Sequence, residues 1–186
     1  MTTSTGRRAV IVHGYGATPD DHWFGWLADR LTRAGTPTTV PALPDPGSPS
    51  RERWAAATAE ALGVPGPDLT VIAHSLGCLA ALRHLASLRE PWRLGALVLV
   101  SGFVDPLPAL PSLDGFIGDG VDVSAIRDRV ESITVLRSDD DLIVPAEHTD
   151  RLAGLLGTSA QVVPGAGHFL ASDGVTMLPE ALAAVA

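Results

Sequence analysis

Ser75, the aspartate run Asp139-Asp140-Asp141 and His168 follow one another along the chain, each at or just beyond the end of a short apolar, β-branched run. These three residue types in concert perform acyl transfer. An imidazole removes the serine proton, and a carboxylate holds the imidazole in the right tautomer and stabilises it once charged. Each signal alone arises by chance. Their order and common placement after predicted strands reinforce one another.

Around the serine, Thr70-Val71-Ile72-Ala73 reads as a strand that stops at His74-Ser75, and a helical pattern opens at Leu76-Gly77-Cys78. This is the sequence form of a nucleophile elbow, the sharp strand-to-helix turn that lifts a serine Oγ where a base can reach it. The usual pattern is G-x-S-x-G, and Ala73 stands in place of the first glycine. A serine before a helix also serves as an N-cap, the structural alternative for Ser75. Gly165-Ala166-Gly167 leading into His168 suits a turn that aims an imidazole inward, where it would act as the base. Among the three aspartates, Asp141 stands four positions before Pro145 and is the expected acid, with Asp140 the alternative and the others read as solvated turn or capping residues. A metal site in this run lacks a complementary ligand set.

His13-Gly14-Tyr15-Gly16-Ala17 follows the first predicted strand. It lacks the third glycine of a dinucleotide fingerprint, and Pro19 follows. The better reading is an oxyanion loop in which the Tyr15 backbone N–H joins that of Leu76. His22 and Trp23 are candidate pocket residues, whereas Trp26 has the spacing of a core aromatic. His74 is expected to pack beside the elbow and Cys78 to be a buried helix residue. His84 and His148 carry no motif.

The elements needed to position these residues are legible as alternating short apolar runs and amphipathic stretches. Strands are expected near 9–13, 37–41, 69–74, 95–101, 132–137 and 159–163, and helices near 20–34, 49–62, 76–89, 124–130, 146–156 and 174–185. Such alternation predicts an α/β fold: a three-layer sandwich with about six mainly parallel strands and helices on both faces. Ligands bind at the carboxyl ends of such strands, where His13, Ser75, the aspartates and His168 all fall. Gly102 to Val123, rich in Pro, Gly and Asp, is the longest aperiodic stretch. It is expected to form at most a short partial cover, leaving little or no cap.

The 186 residues, 46% hydrophobic, suit one domain spanning 1–186. A net charge of −8 argues against nucleic acid or anionic membrane as partner and favours a small-molecule or peptide substrate. The N-terminal residues pass into the first strand without an apolar leader, and no apolar run approaches ~18 residues, so a cytoplasmic location is expected. One cysteine cannot form an internal disulfide or a zinc cage. The chain has no lysine and no asparagine, which removes Schiff-base catalysis, the phosphate-loop lysine, Ser-Lys dyads and the Cys-His-Asn triad.

The segments His13-Gly14-Tyr15-Gly16, His22-Trp23-Phe24-Gly25-Trp26-Leu27, Pro44-Asp45-Pro46, Ala73-His74-Ser75-Leu76-Gly77, Val98-Leu99-Val100-Ser101-Gly102-Phe103, Asp140-Asp141-Leu142-Ile143-Val144-Pro145 and Gly167-His168-Phe169 carry a resemblance. They are similar to the small α/β-hydrolase family of retinoblastoma-binding protein nine and YdeN, from the first strand almost to the C-terminus. The resemblance implies a compact serine hydrolase with a triad on Ser75, Asp141 and His168, little or no cap, and no metal or organic cofactor. It leaves the substrate undefined. The leading expectation is cleavage of a carboxylic ester, thioester or peptide-like acyl bond through an acyl-enzyme. Two alternatives accompany it: a protein-binding module that retains the fold, and a cofactor-free perhydrolase using the same triad.

Overall fold

The computed structural model describes residues 6–185, so residues 1–5 of the stretch read above for a leader, and residue 186, lie outside the described residues. In chain order the elements are β1 (Arg8–Val12), α1 (Phe24–Arg33), β2 (Thr38–Thr39), α2 (Arg51–Leu62), β3 (Leu69–His74), α3 (Leu76–Ser87), β4 (Leu94–Val100), α4 (Asp114–Ile117), β5 (Val130–Ser138), α5 (Ala146–Leu155), β6 (Ala160–Val163) and α6 (Pro179–Ala183). The six strands form one sheet in the order β2-β1-β3-β4-β5-β6, and every pairing is parallel. Strand order reverses direction between β1 and β3. In open parallel sheets ligands bind outside the carboxyl ends of the strands at such a switch point, and the loops carrying Gly14 and Ser75 emerge there.

Burial alternates along the central strands with the two-residue period of a pleated sheet covered on both faces. Val10, Val12, Val71, Ala73, Leu97, Leu99 and Val135 enter a core with Trp54 and Leu62 of α2, the apolar face of α3 and Leu152 of α5. Ala9, Ile11, Ile72, Val98, Val100 and Leu136 enter a second core with Phe24, Leu27 and Leu31 of α1 and Ala181 of α6. Three layers result, as the sequence pattern predicts. Each large side chain buried in them contributes about 1.5–3 kcal/mol.

The departures have local causes. β2 shrinks to Thr38–Thr39 because Pro37 and Pro41 have no N–H to give a ladder. The helix expected from residue 20 starts at Phe24. Upstream, the Asp21 carboxylate accepts from the Thr18 amide and hydroxyl, folding that stretch as a turn. Instead of a helix at 124–130, the chain makes a short 3-10 turn at Arg127–Arg129, because β5 begins at Val130, pairing with Leu94 of β4. The last helix is confined to Pro179–Ala183 by Gly174, at φ 85°, and by Pro179.

Gly102 to Val123, the longest aperiodic stretch of the sequence, is anchored to the α2–α3 layer. Phe116 of α4 packs edge-on against Trp54 at 5.4 Å. Arg83 of α3 donates to the carbonyls of Phe116, at 2.8 Å, and Ile117. Leu107, Leu113, Ile117 and Val123 join the core on that side.

Candidate active site

β3 ends at His74 and α3 begins at Leu76, leaving Ser75 alone to make the turn. Its backbone adopts φ 52°, ψ −125°, a conformation costly for any residue with a Cβ. Two glycines permit the geometry. A Cβ on Gly77 would collide with the carbonyl oxygens of Val12 and His13, so glycine there lets the start of α3 lie against the end of β1. A Cβ on Gly14 would lie 2.9 Å from the Ser75 Cβ, so glycine there lets the β1 loop close on the elbow. Tyr15 follows directly, its side chain about one-third exposed.

The Ser75 hydroxyl does not cap α3. It lies 2.9 Å from His168 Nε2, while His168 Nδ1 lies 2.8 Å from Asp141 Oδ2. With the carboxylate accepting at Nδ1, that nitrogen carries the proton and Nε2 accepts from the serine. Ser75 is 4% exposed, and the side chains of His168 and Asp141 are 7% and 2% exposed. Burial pushes the Asp141 carboxyl up, but the hydrogen bond and charge of His168, with the amides of Val144 and Ile143, outweigh it and hold it below the usual carboxylate value. The sequence left Asp140 as an alternative acid; the structure brings Asp141 to the imidazole.

All three aspartates nevertheless face the His168 loop. Asp139 Oδ1 accepts from the Gly165 amide and Asp140 Oδ1 from the Gly167 amide, both at 2.8 Å. Asp139 and Asp140 are therefore more than the solvated turn residues expected. From the far side, Asp173 Oδ2 accepts from the amides of His168 and Leu170.

His74 packs beside the elbow, as expected. Its Nε2 donates to the His168 carbonyl at 2.9 Å, and its ring stands 4.9 Å from that of His168. Burial, reinforced by the neighbouring His168, drives its pKa well below the ordinary histidine value, so it stays neutral. His13 is likewise fixed and uncharged by burial. Its Nδ1 donates to the Gly14 carbonyl and its Nε2 accepts from the Leu43 amide, both at 3.0 Å.

Of the two candidate pocket residues, His22 lies beside the site. It is half-buried, at φ 56°, and its Nδ1 accepts from the Ala171 amide at 3.0 Å. Trp23 differs from the expectation. It is fully buried against Phe24, ring centroids 4.8 Å apart, and supports the site from behind instead of lining it. Trp26, expected in the core, is partly buried beneath Arg30. Cys78 is buried, and desolvation pushes its thiol far above the ordinary value, leaving it unreactive.

Two supports escaped the sequence reading. Ser101, at the end of β4, donates to Asp141 Oδ2 at 2.8 Å. Pro44-Asp45-Pro46 braces the loop after β1, since Pro46 accepts from the Gly16 amide and Pro44 from Trp54 Nε1. Neither has a spacing rule, because both contacts join segments distant in sequence. Among the described residues, no group of three or more His, Cys, Asp and Glu side chains is arranged to hold a metal ion, and no helix is long and apolar enough to cross a membrane.

Comparison with known proteins agrees with this architecture. The family described as serine hydrolase matches residues 9–186. YdeN of Bacillus subtilis (strain 168) is 36% identical over 173 residues, 93% of this chain and 91% of that protein. The crystal structure of the B. subtilis ydeN gene product aligns with a TM-score of 0.92 at 35% identity, covering 96% of each chain. Est1E from Butyrivibrio proteoclasticus, 14% identical, shares the fold with a TM-score of 0.67, covering 97% of this chain and 88% of that one. The match to the family across nearly the whole chain, and the close likeness to YdeN in sequence and fold, show that this protein belongs to the serine hydrolase family of α/β hydrolases.

Proposed function

We propose that the protein cleaves a carboxylic ester, thioester or peptide-like acyl bond through an acyl-enzyme on Ser75. The observation that carries this reading is the unbroken chain from Ser75 Oγ through both ring nitrogens of His168 to Asp141, with the serine on a strained turn. A serine acting only as a helix cap would turn its hydroxyl to an amide of the first helical turn.

In this mechanism Ser75 Oγ attacks the acyl carbon while His168 Nε2 takes its proton. Asp141 stays ionised, stabilises the imidazolium and keeps Nε2 directed at the serine. The N–H groups of Tyr15 and Leu76 hold the oxyanion, and the N-terminal end of the α3 dipole adds to them. Losing one such donor costs about 3–4 kcal/mol of barrier. The intermediate collapses, the leaving group departs with the proton from His168, and a water activated by the same imidazole releases the acid and restores Ser75.

The substrate in this reading is a small molecule or peptide, in keeping with a net charge of −8 that argues against nucleic acid or an anionic membrane. Hydrolysis of short p-nitrophenyl esters by the parent, lost in Ser75→Ala, supports the reading. A Ser75→Ala protein that turns over as fast as the parent refutes it.

A further inference from the structure

We infer that Ser101 is a positioning residue for the reaction, whose buried hydroxyl and the His168 imidazole share one acceptor atom, Asp141 Oδ2. This rests on the hydrolase reading above. Both donors stand 2.8 Å from that oxygen. The other oxygen, Oδ1, accepts from the amides of Ile143 and Val144, each at 2.9 Å. Four donors therefore occupy the acceptor sites of one carboxylate and fix its plane.

Ser101 is 1% exposed, and its backbone stands at φ 46°, where a residue with a Cβ is held only if its surroundings over-determine it. Its amide donates to the Leu136 carbonyl at 2.9 Å. The next residue, Gly102, is pinned through its carbonyl, which accepts from Thr149 Oγ1 at 2.9 Å, and packs against Cys78 and Leu152. Glycine would adopt this φ without cost. The serine gives up that ease, and the hydroxyl it retains is directed at the carboxylate behind His168.

Two donors on one anionic oxygen divide its charge between them. The Ser101 hydroxyl thus moderates the pull of Asp141 on the Nδ1 proton while holding Oδ2 in line with the imidazole. The other groups facing His168 are Ser75 and His74 from the elbow, His22 from the β1–α1 loop and Asp173 from the following turn, with Asp140 on the Gly167 amide. None touches Oδ2.

The test uses Ser101→Ala, which keeps the Cβ and its backbone constraint and removes only the hydroxyl. Ser101→Gly removes the hydroxyl and relieves the backbone, and so covers a failure of the alanine variant to fold. The readouts are the low-field His168 Nδ1 proton resonance by NMR, which needs no turnover, and the pH profile of kcat and KM on a p-nitrophenyl ester. With one donor left on Oδ2, the resonance moves further downfield in both variants and the acid limb of kcat/KM moves to higher pH. The lost alignment lowers kcat roughly five- to tenfold, with KM changed less than about twofold.

A resonance and acid limb that stay at the parent positions in a folded variant overturn the inference. So does a glycine variant that behaves as the parent while the alanine variant does not, which would make the backbone the cause. A parent that hydrolyses no ester counts against the hydrolase reading, whereas the resonance still decides the role of Ser101.

Discussion

Asp140 Oδ1 accepts the Gly167 amide at 2.8 Å, one residue before His168, so the neighbour of the proposed acid holds the neighbour of the proposed base. Ser138 Oγ extends this clamp by donating to the same Asp140 oxygen and accepting from the Ala166 amide. These bonds, those from Ser138 and Gly167 foremost, hold the Asp140 carboxyl below its ordinary pKa. Its contribution is present above the ordinary carboxylate range and lost as pH falls through the depressed value. Asp140→Ala is expected to lower kcat roughly tenfold, short of the ~10²-fold cost of a 1 Å misplacement at the chemistry itself. Steady-state ester hydrolysis measures this. An unchanged kcat would show that the clamp does not position His168.

Asp141→Asn preserves shape but reverses the proton preference at His168 Nδ1. A loss of about 10⁴-fold in kcat is expected, because the imidazole is held in the wrong tautomer. Since folding lowers the carboxyl's pKa, its stabilisation is full above the ordinary value near 4 and disappears as pH falls below it. Urea melts at stepwise lower pH should show the parent losing stability more steeply than the asparagine variant.

Gly77→Ala places a methyl against the backbone carbonyls of Val12 and His13. Neither β1 nor α3 can retreat without disturbing the central sheet. A loss of about 2–3 kcal/mol is expected, read as a lower urea midpoint at unchanged slope.

Much of this arrangement is legible in the sequence, because strand alternation and the elbow are local patterns. Val10 and Ile11 enter opposite cores as their period dictates, and Gly77 stands where the elbow demands a small residue. Contacts that close over long separations leave no such mark. Ser101 meets Asp141 across 40 residues, and the link from His74 to the His168 carbonyl spans 94. Trp23 is only a candidate pocket residue in the sequence, because an aromatic beside a histidine near a loop looks the same whether its ring turns inward or outward. In the structure the ring turns inward, fully buried against Phe24.

His74→Phe retains the ring and removes one donor to the His168 carbonyl. It also removes the buried Nδ1, which has no hydrogen-bond partner among the described residues. The two effects oppose each other, so stability at pH 8 should stay within about 1 kcal/mol of the parent. Because burial lowers the His74 pKa, the unfolded chain takes up a proton below about pH 6.5 that the folded chain refuses, so stability falls as pH drops. Denaturation between pH 8 and pH 5 should show a smaller fall for the phenylalanine variant.

Fluorophosphonate labelling at neutral pH, located by peptide mass spectrometry, tests the activated serine most directly, since it requires no knowledge of the substrate. The parent is expected to carry the adduct on Ser75, and Ser75→Ala and His168→Ala are expected to remain unmodified at that peptide. A folded parent that stays unlabelled, or a His168→Ala protein labelled as readily as the parent, contradicts the account.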